Sequence, residues 1–123
     1  MTIHLRVRPG TLAICRLGPD EAVPAWARGS FVSVTRTRDE LSVVCDEGGV
    51  PSDGRAERGW RAFEVEGPLD FSLTGVLAGL TAPLATAAIP VFAVSTFDTD
   101  YLLVPGHRLS EAVDALRQAG FQL

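Results

Sequence analysis

From residue 60 to residue 123 the chain alternates apolar runs short enough to be strands with two stretches of helical period. That order limits the possible folds more than any other feature. Trp60-Arg61-Ala62-Phe63-Glu64-Val65-Glu66 alternates as a strand, and its apolar set is mixed enough to allow cover on both faces. Gly67-Pro68 turns the chain. Leu73, Val76, Leu77, Leu80, Leu84 and Ala87 recur at i, i+3, i+4 and i+7, which predicts a helix over 73–88, kinked at Pro83. Residues 90–96 read as a buried strand and 101–104 as another, joined by the polar link Phe97-Asp98-Thr99-Asp100. Leu109, Ala112, Val113, Leu116 and Ala119 mark a final amphipathic helix, with Gly120 at its C′ position and room for a short last strand over 121–123. The series β-α-β-β-α-β is the split-βαβ, ferredoxin-like α+β arrangement, an antiparallel sheet with both helices on one face.

The first half looks like a reduced copy of that unit. Strands are expected over 3–7 and 11–17, separated by the turn Pro9-Gly10. Residues 24–29 suffice for about one helical turn before glycine stops it. Residues 31–35 and 41–45 form a hairpin about the polar turn Thr37-Arg38-Asp39-Glu40. From Asp46 to Gly59 glycine, proline and charge dominate, so this stretch reads as a surface loop and as the module boundary, giving domains 1–59 and 60–123.

Composition narrows the chemistry. All eleven cations are arginine, so mechanisms built on a lysine amine are excluded. Two histidines make a multi-histidine metal site improbable. A net charge of −4 argues against a nucleic-acid partner, and no apolar run is long enough for a membrane span. The chain is expected to be cytosolic, with Cys15 and Cys45 as reduced core thiols. His4 lies in the first strand with no carboxylate nearby in sequence, His107 sits in a turn before the last helix, and no catalytic, metal or cofactor motif is present. No enzyme is expected.

Two features could still form a site. Glu64 and Glu66 share a strand face, and Asp98 and Asp100 lie two apart, Asp98 as a turn residue. The link Gly67-Pro68-Leu69-Asp70-Phe71-Ser72-Leu73-Thr74-Gly75 leads into a helix that Ser72 or Asp70 can cap. Amides at that helix start would favour an anion. Ser95, Thr96 and Asp100 lie at the junction of the two middle strands, where Asp100 could receive an ammonium group. Ordinary capping and turn chemistry is the competing account of the same residues.

The run from Gly67 to Gly75, together with Pro90-Val91-Phe92-Ala93-Val94-Ser95-Thr96-Phe97-Asp98-Thr99-Asp100-Tyr101, resembles bacterial ACT-domain proteins related to the arginine sensors of the TOR pathway. Thr11-Leu12-Ala13-Ile14-Cys15-Arg16-Leu17 and Ser33-Val34-Thr35-Arg36-Thr37 resemble the same group. The resemblance implies tandem ACT modules, the first reduced, that bind a small effector such as an amino acid and catalyse nothing. It implies a ligand site of Asp70, Phe71, Ser72, Leu73, Thr74, Gly75, Ser95, Thr96 and Asp100, set where modules meet. The arginine sensors have four modules, so a complete pocket here calls for a homodimer. The alternative is a ligand-free interaction module that docks through an exposed sheet and Trp26 or Trp60.

Overall fold

The computed structural model describes residues 2–70 and 72–123. The chain folds as two compact units, Met1–Pro9 with Arg61–Leu123, and Gly10–Trp60. These are not the sequential halves 1–59 and 60–123. The first nine residues belong with the C-terminal segment because Leu5 has to bury its side chain there, and the division falls inside a strand.

In the unit built from both chain ends, the strands are β1 (Leu5–Val7), the second half of β5 (Ala56–Val65), β6 (Phe92–Ser95) and β7 (Asp100–Pro105). Their order across the sheet is β1-β5-β7-β6. Two helices, α1 (Val76–Thr86) and α2 (Leu109–Gln118), supply its apolar cover. Leu80 and Leu84 of α1 and Ala112 and Leu116 of α2 pack with Leu5, Phe63, Val65, Leu102 and Val104. The alternation on β5 and β7 explains this: Phe63, Val65, Leu102 and Val104 fall on the same side. A fully buried leucine contributes about 1.5–3 kcal/mol here relative to an exposed one.

The expected last strand is a single parallel bridge, His4 to Gln122, closed by Leu5 N donating to Gln122 O at 2.7 Å and Gln122 N to Ile3 O at 3.0 Å. Gly120 takes a left-handed φ of 101° after α2, as the periodicity predicts. Strand β6 is an edge strand with alternating exposure, not the buried strand expected from its composition. Pro83 lies inside α1 without ending it. The carbonyl it leaves unbonded is that of exposed Gly79, where solvent is within reach. The acid pair at the end of β5 is answered from the β1 side, Glu64 by Arg8 at 2.9 Å and Glu66, just past the strand, by Arg6 at 3.2 Å.

The second unit contains β2 (Leu12–Leu17), β3 (Ser33–Arg36), β4 (Leu41–Asp46) and the first half of β5, in the order β3-β4-β2-β5, with every pair antiparallel. That is the strand order of a ferredoxin-like sheet with its helices pared away. Residues 24–29 make turns only, and a three-residue 3-10 turn, Glu47–Gly49, stands in the second helix position. The expected loop over 46–59 is therefore partly strand. Residues 56–60 pair with β2, and two residues of β5, Arg58 and Gly59, oppose one of β2, Ala13, with Gly59 at a φ of 80°. This bulge and the exposed charges around it hide the strand from a search for apolar alternation.

Cys15 and Cys45 are both free and buried, within a core of Ala13, Leu41, Val43 and Val50. Burial, with the neighbouring Cys15 thiol, pushes Cys45 up to about 11 from 9.0. The neutral thiol is the form that suits the folded state. Its contribution is complete below pH 9.0 and is lost as pH rises towards about 11. Denaturation midpoints should accordingly fall between these pH values, and fall less in Cys45→Ala; identical pH profiles for the two proteins would contradict this. An electrophilic thiol reagent should label native protein at neutral pH far more slowly than unfolded protein.

Candidate functional site

A cleft of about 250 Å³ opens where α1 begins beside the β6–β7 hairpin. It is built from the chain turn that precedes it. Gly67 has no side chain because a Cβ there would stand 3.0 Å from Asp98 O and 3.1 Å from the Thr99 Cβ. The close approach permits two cross-links: Leu69 N donates to Asp98 O at 2.7 Å, and Thr99 Oγ1 donates to Val65 O at 2.6 Å. The hairpin itself is tight, with Thr96 N bonded to Thr99 O at 2.8 Å. Thr96 Oγ1 also receives the Thr99 amide at 3.3 Å.

Helix α1 starts three residues later than its apolar period predicts, at Val76. The cause is local polar chemistry. Asp70 Oδ1 accepts both the amide and the hydroxyl of Ser72 at 2.8 Å, an Asx turn that holds the backbone out of the helix. Gly75 then takes a φ of 82° as N-cap residue, and no side chain caps the helix. The expected capping by Asp70 or Ser72 is thus corrected: these residues bond each other. The start of α1 keeps its amide donors and positive dipole end for whatever enters the cleft.

Of the residues singled out from sequence, Asp70, Leu73, Gly75, Ser95, Thr96 and Asp100 line this one cleft. Ser72 and Thr74 do not line it, and Phe71 lies outside the described residues. Asp100 is oriented by Ser95, whose hydroxyl donates to Oδ1 at 2.7 Å. Sequence reasoning missed Leu69 and Phe97, which also line the cleft, and took Asp98, another lining residue, as a turn residue only. Phe97 is 79% exposed at the hairpin tip, an unusual setting for a phenylalanine and the signal that could have found it. All lining residues come from the unit of the two chain ends; their charged members, Asp70, Asp98 and Asp100, are all acidic. Among the described residues no cluster of three or more metal-ligating side chains occurs, and no helix is long and apolar enough to cross a membrane.

The family model for the ACT domain matches residues 55–118, and a separate N-terminal-domain model matches residues 10–53. The chain belongs to the ACT-domain family. A curated relative, the human cytosolic arginine sensor for mTORC1 subunit 1, is 35% identical over 60 residues, 48% of this chain. This chain spans 18% of that sensor's length. The human putative protein CASTOR3P is 34% identical over 90 residues, 63% of this chain and 55% of its own. A crystal structure of an Agrobacterium tumefaciens protein matches with a TM-score of 0.93 and 45% identity, covering all of this chain and 92% of that one. The regulatory subunit of aspartate kinase from Thermus flavus shares the ACT fold at 12% identity, with a TM-score of 0.68 over 97% of this chain and 99% of its own.

The Ser72 amide, and then its hydroxyl, hold the Asp70 carboxyl below its ordinary value of 3.8. A depressed carboxyl favours the folded loop above 3.8 and loses that contribution as pH falls through the lower folded value. An NMR titration should place the Asp70 midpoint below 3.8, and Ser72→Ala should move it upward, since one of the two donors is removed. A wild-type midpoint at or above 3.8 would refute the Asx turn, and an unmoved midpoint in Ser72→Ala would refute the hydroxyl bond.

Proposed function

We propose that this ACT-domain protein is a regulatory, non-catalytic binder of a free amino acid, held in the cleft at the start of α1. The arrangement that carries the reading is the convergence of the uncapped α1 amides and the Ser95-oriented Asp100 on one cleft of about 250 Å³. The amides and helix dipole suit a carboxylate. Asp100, with Asp98 beside it, suits an ammonium group. Leu73 and Val76 supply apolar walls, and the residues proposed as ligand contacts are Asp70, Leu73, Gly75, Ser95, Thr96 and Asp100, with Phe71, Ser72 and Thr74 completing the same loop.

The comparisons support this reading in kind. The matched curated proteins are named as an arginine sensor, and similar folds serve as the regulatory subunit of aspartate kinase. Neither fixes the ligand of this chain. Output would come by population shift: an effector that prefers one packing of a homodimer raises its population, with no bond made or broken.

Thermal-shift screening against the twenty amino acids should give a raised Tm with one or a few of them. Asp100→Ala should weaken that binding by about ten- to a hundredfold, the loss expected for a charged hydrogen bond. Folded protein that responds to none of the amino acids would overturn the proposal in favour of an interaction module without a ligand.

A further inference from the structure

The unit formed by Gly10–Trp60 holds a larger cavity, about 730 Å³, which the cleft at α1 does not involve. Its lining includes Trp26, Arg28, Asp46 and Glu47. Loop 24–29 and the end of β4 are joined at its base, where Asp46 N donates to Arg28 O at 2.8 Å. Glycines set the walls. A Cβ at Gly29 would fall 2.7 Å from the Asp46 carboxylate carbon, and one at Gly49 would fall 2.8 Å from Trp26 O. Both positions have to be glycine for the loops to close this far, and the Asp46 carboxylate lies directly against the Gly29 backbone.

Arg28 and Asp46 are backbone neighbours of opposite sign, yet neither enters an ion pair among the described residues. Arg28 is tethered elsewhere, its Nε donating to Ala25 O at 3.1 Å. Glu47 is spent as well, with Oε1 accepting the Gly59 amide at 2.7 Å. What remains is one cation and one anion lining the same space without pairing, with Trp26 in the same wall. A guanidinium binds a carboxylate in bidentate fashion, and a carboxylate receives an ammonium group. Trp26, partly buried against the core of this unit, supplies apolar surface at the edge of the same space.

The geometry points to a second binding site in this cavity, for a short peptide with free termini and an apolar side chain: the C-terminal carboxylate on Arg28, the ammonium group on Asp46, and the side chain against Trp26. The cavity is nearly three times the volume of the α1 cleft, so it has room for a di- or tripeptide where the cleft suits a single amino acid. The site stands apart from the amino-acid reading above and survives that reading's failure.

The test uses leucyl-leucine as probe and tryptophan fluorescence as readout, in full-length protein carrying Trp60→Phe so that Trp26 is the sole indole. A saturable change in emission is expected. Acetylating the peptide's amine or amidating its carboxylate should each weaken binding by about ten- to a hundredfold. Asp46→Asn should abolish the preference for the free amine, Arg28→Gln that for the free carboxylate, and Asp100→Ala should change nothing. The blocked peptides act on unmutated loops, so the terminus requirement is read without Asp46→Asn or Arg28→Gln, and the same titration of unmutated protein followed by amide chemical shifts reads it without Trp60→Phe. No saturable change up to about 10 mM peptide would overturn the inference. So would indifference to blocked termini, equal binding of free leucine, or sensitivity to Asp100→Ala.

Discussion

One buried hydroxyl organises the site. Thr99 is the buried polar side chain among the described residues, and it donates to the Val65 carbonyl at 2.6 Å. An unpaired hydroxyl at such a position would cost about 1–3 kcal/mol, so the hairpin can settle only where that carbonyl is in reach. The bond joins the end of β5 to the tip of the β6–β7 hairpin, and Gly67 makes the approach possible by presenting no Cβ. With the Leu69–Asp98 bond it fixes where the chain leaves the sheet, and hence where α1 begins. The uncapped start of α1 and the Ser95–Asp100 pair face one cleft as a consequence of that lock.

The site owes its character to side chains used locally. Asp70, which could have capped the helix, is consumed by Ser72, and the helix starts instead at a left-handed glycine. A helix capped by its own carboxylate would offer a ligand little; this one offers unmatched donors and a dipole. Asp98 and Asp100 stand on the hairpin side, facing the amide donors of α1, while Asp70, the third acid of the lining, has its Oδ1 taken up by Ser72. The split suits a zwitterion.

Much of the C-terminal unit was legible in the sequence, because its apolar periods are long and its punctuation is strong. The α2 pattern ending at Gly120, the short strands and the ferredoxin-like order all follow from spacing. The errors have local causes. Residues 56–60 carry charges around a glycine bulge, so no apolar alternation marks them as a strand. The start of α1 was misplaced because Leu73 fits the helical period while the Asx turn overrides it. Residues 90–96 are apolar enough for a core strand, but that composition does not distinguish the centre of a sheet from its edge. The two site loops are visible in the turn chemistry of residues 67–75 and the polar junction of residues 95–100, and the family resemblance points to the same residues, whereas Leu69 and Phe97 join the cleft only through folding. Nor could the boundary be read from composition, since Leu5 finds its core partners some sixty residues away in the chain.

The central claim is that the cleft at the start of α1 holds a ligand, and amide chemical-shift mapping addresses it most directly. Titration of the isotopically labelled protein with the amino acid that stabilises it should move the amides of Gly75, Val76 and Leu77 and those of Ser95 to Asp100 most, with saturation at a single affinity. Shifts that concentrate elsewhere, or spread without saturating, would contradict the account.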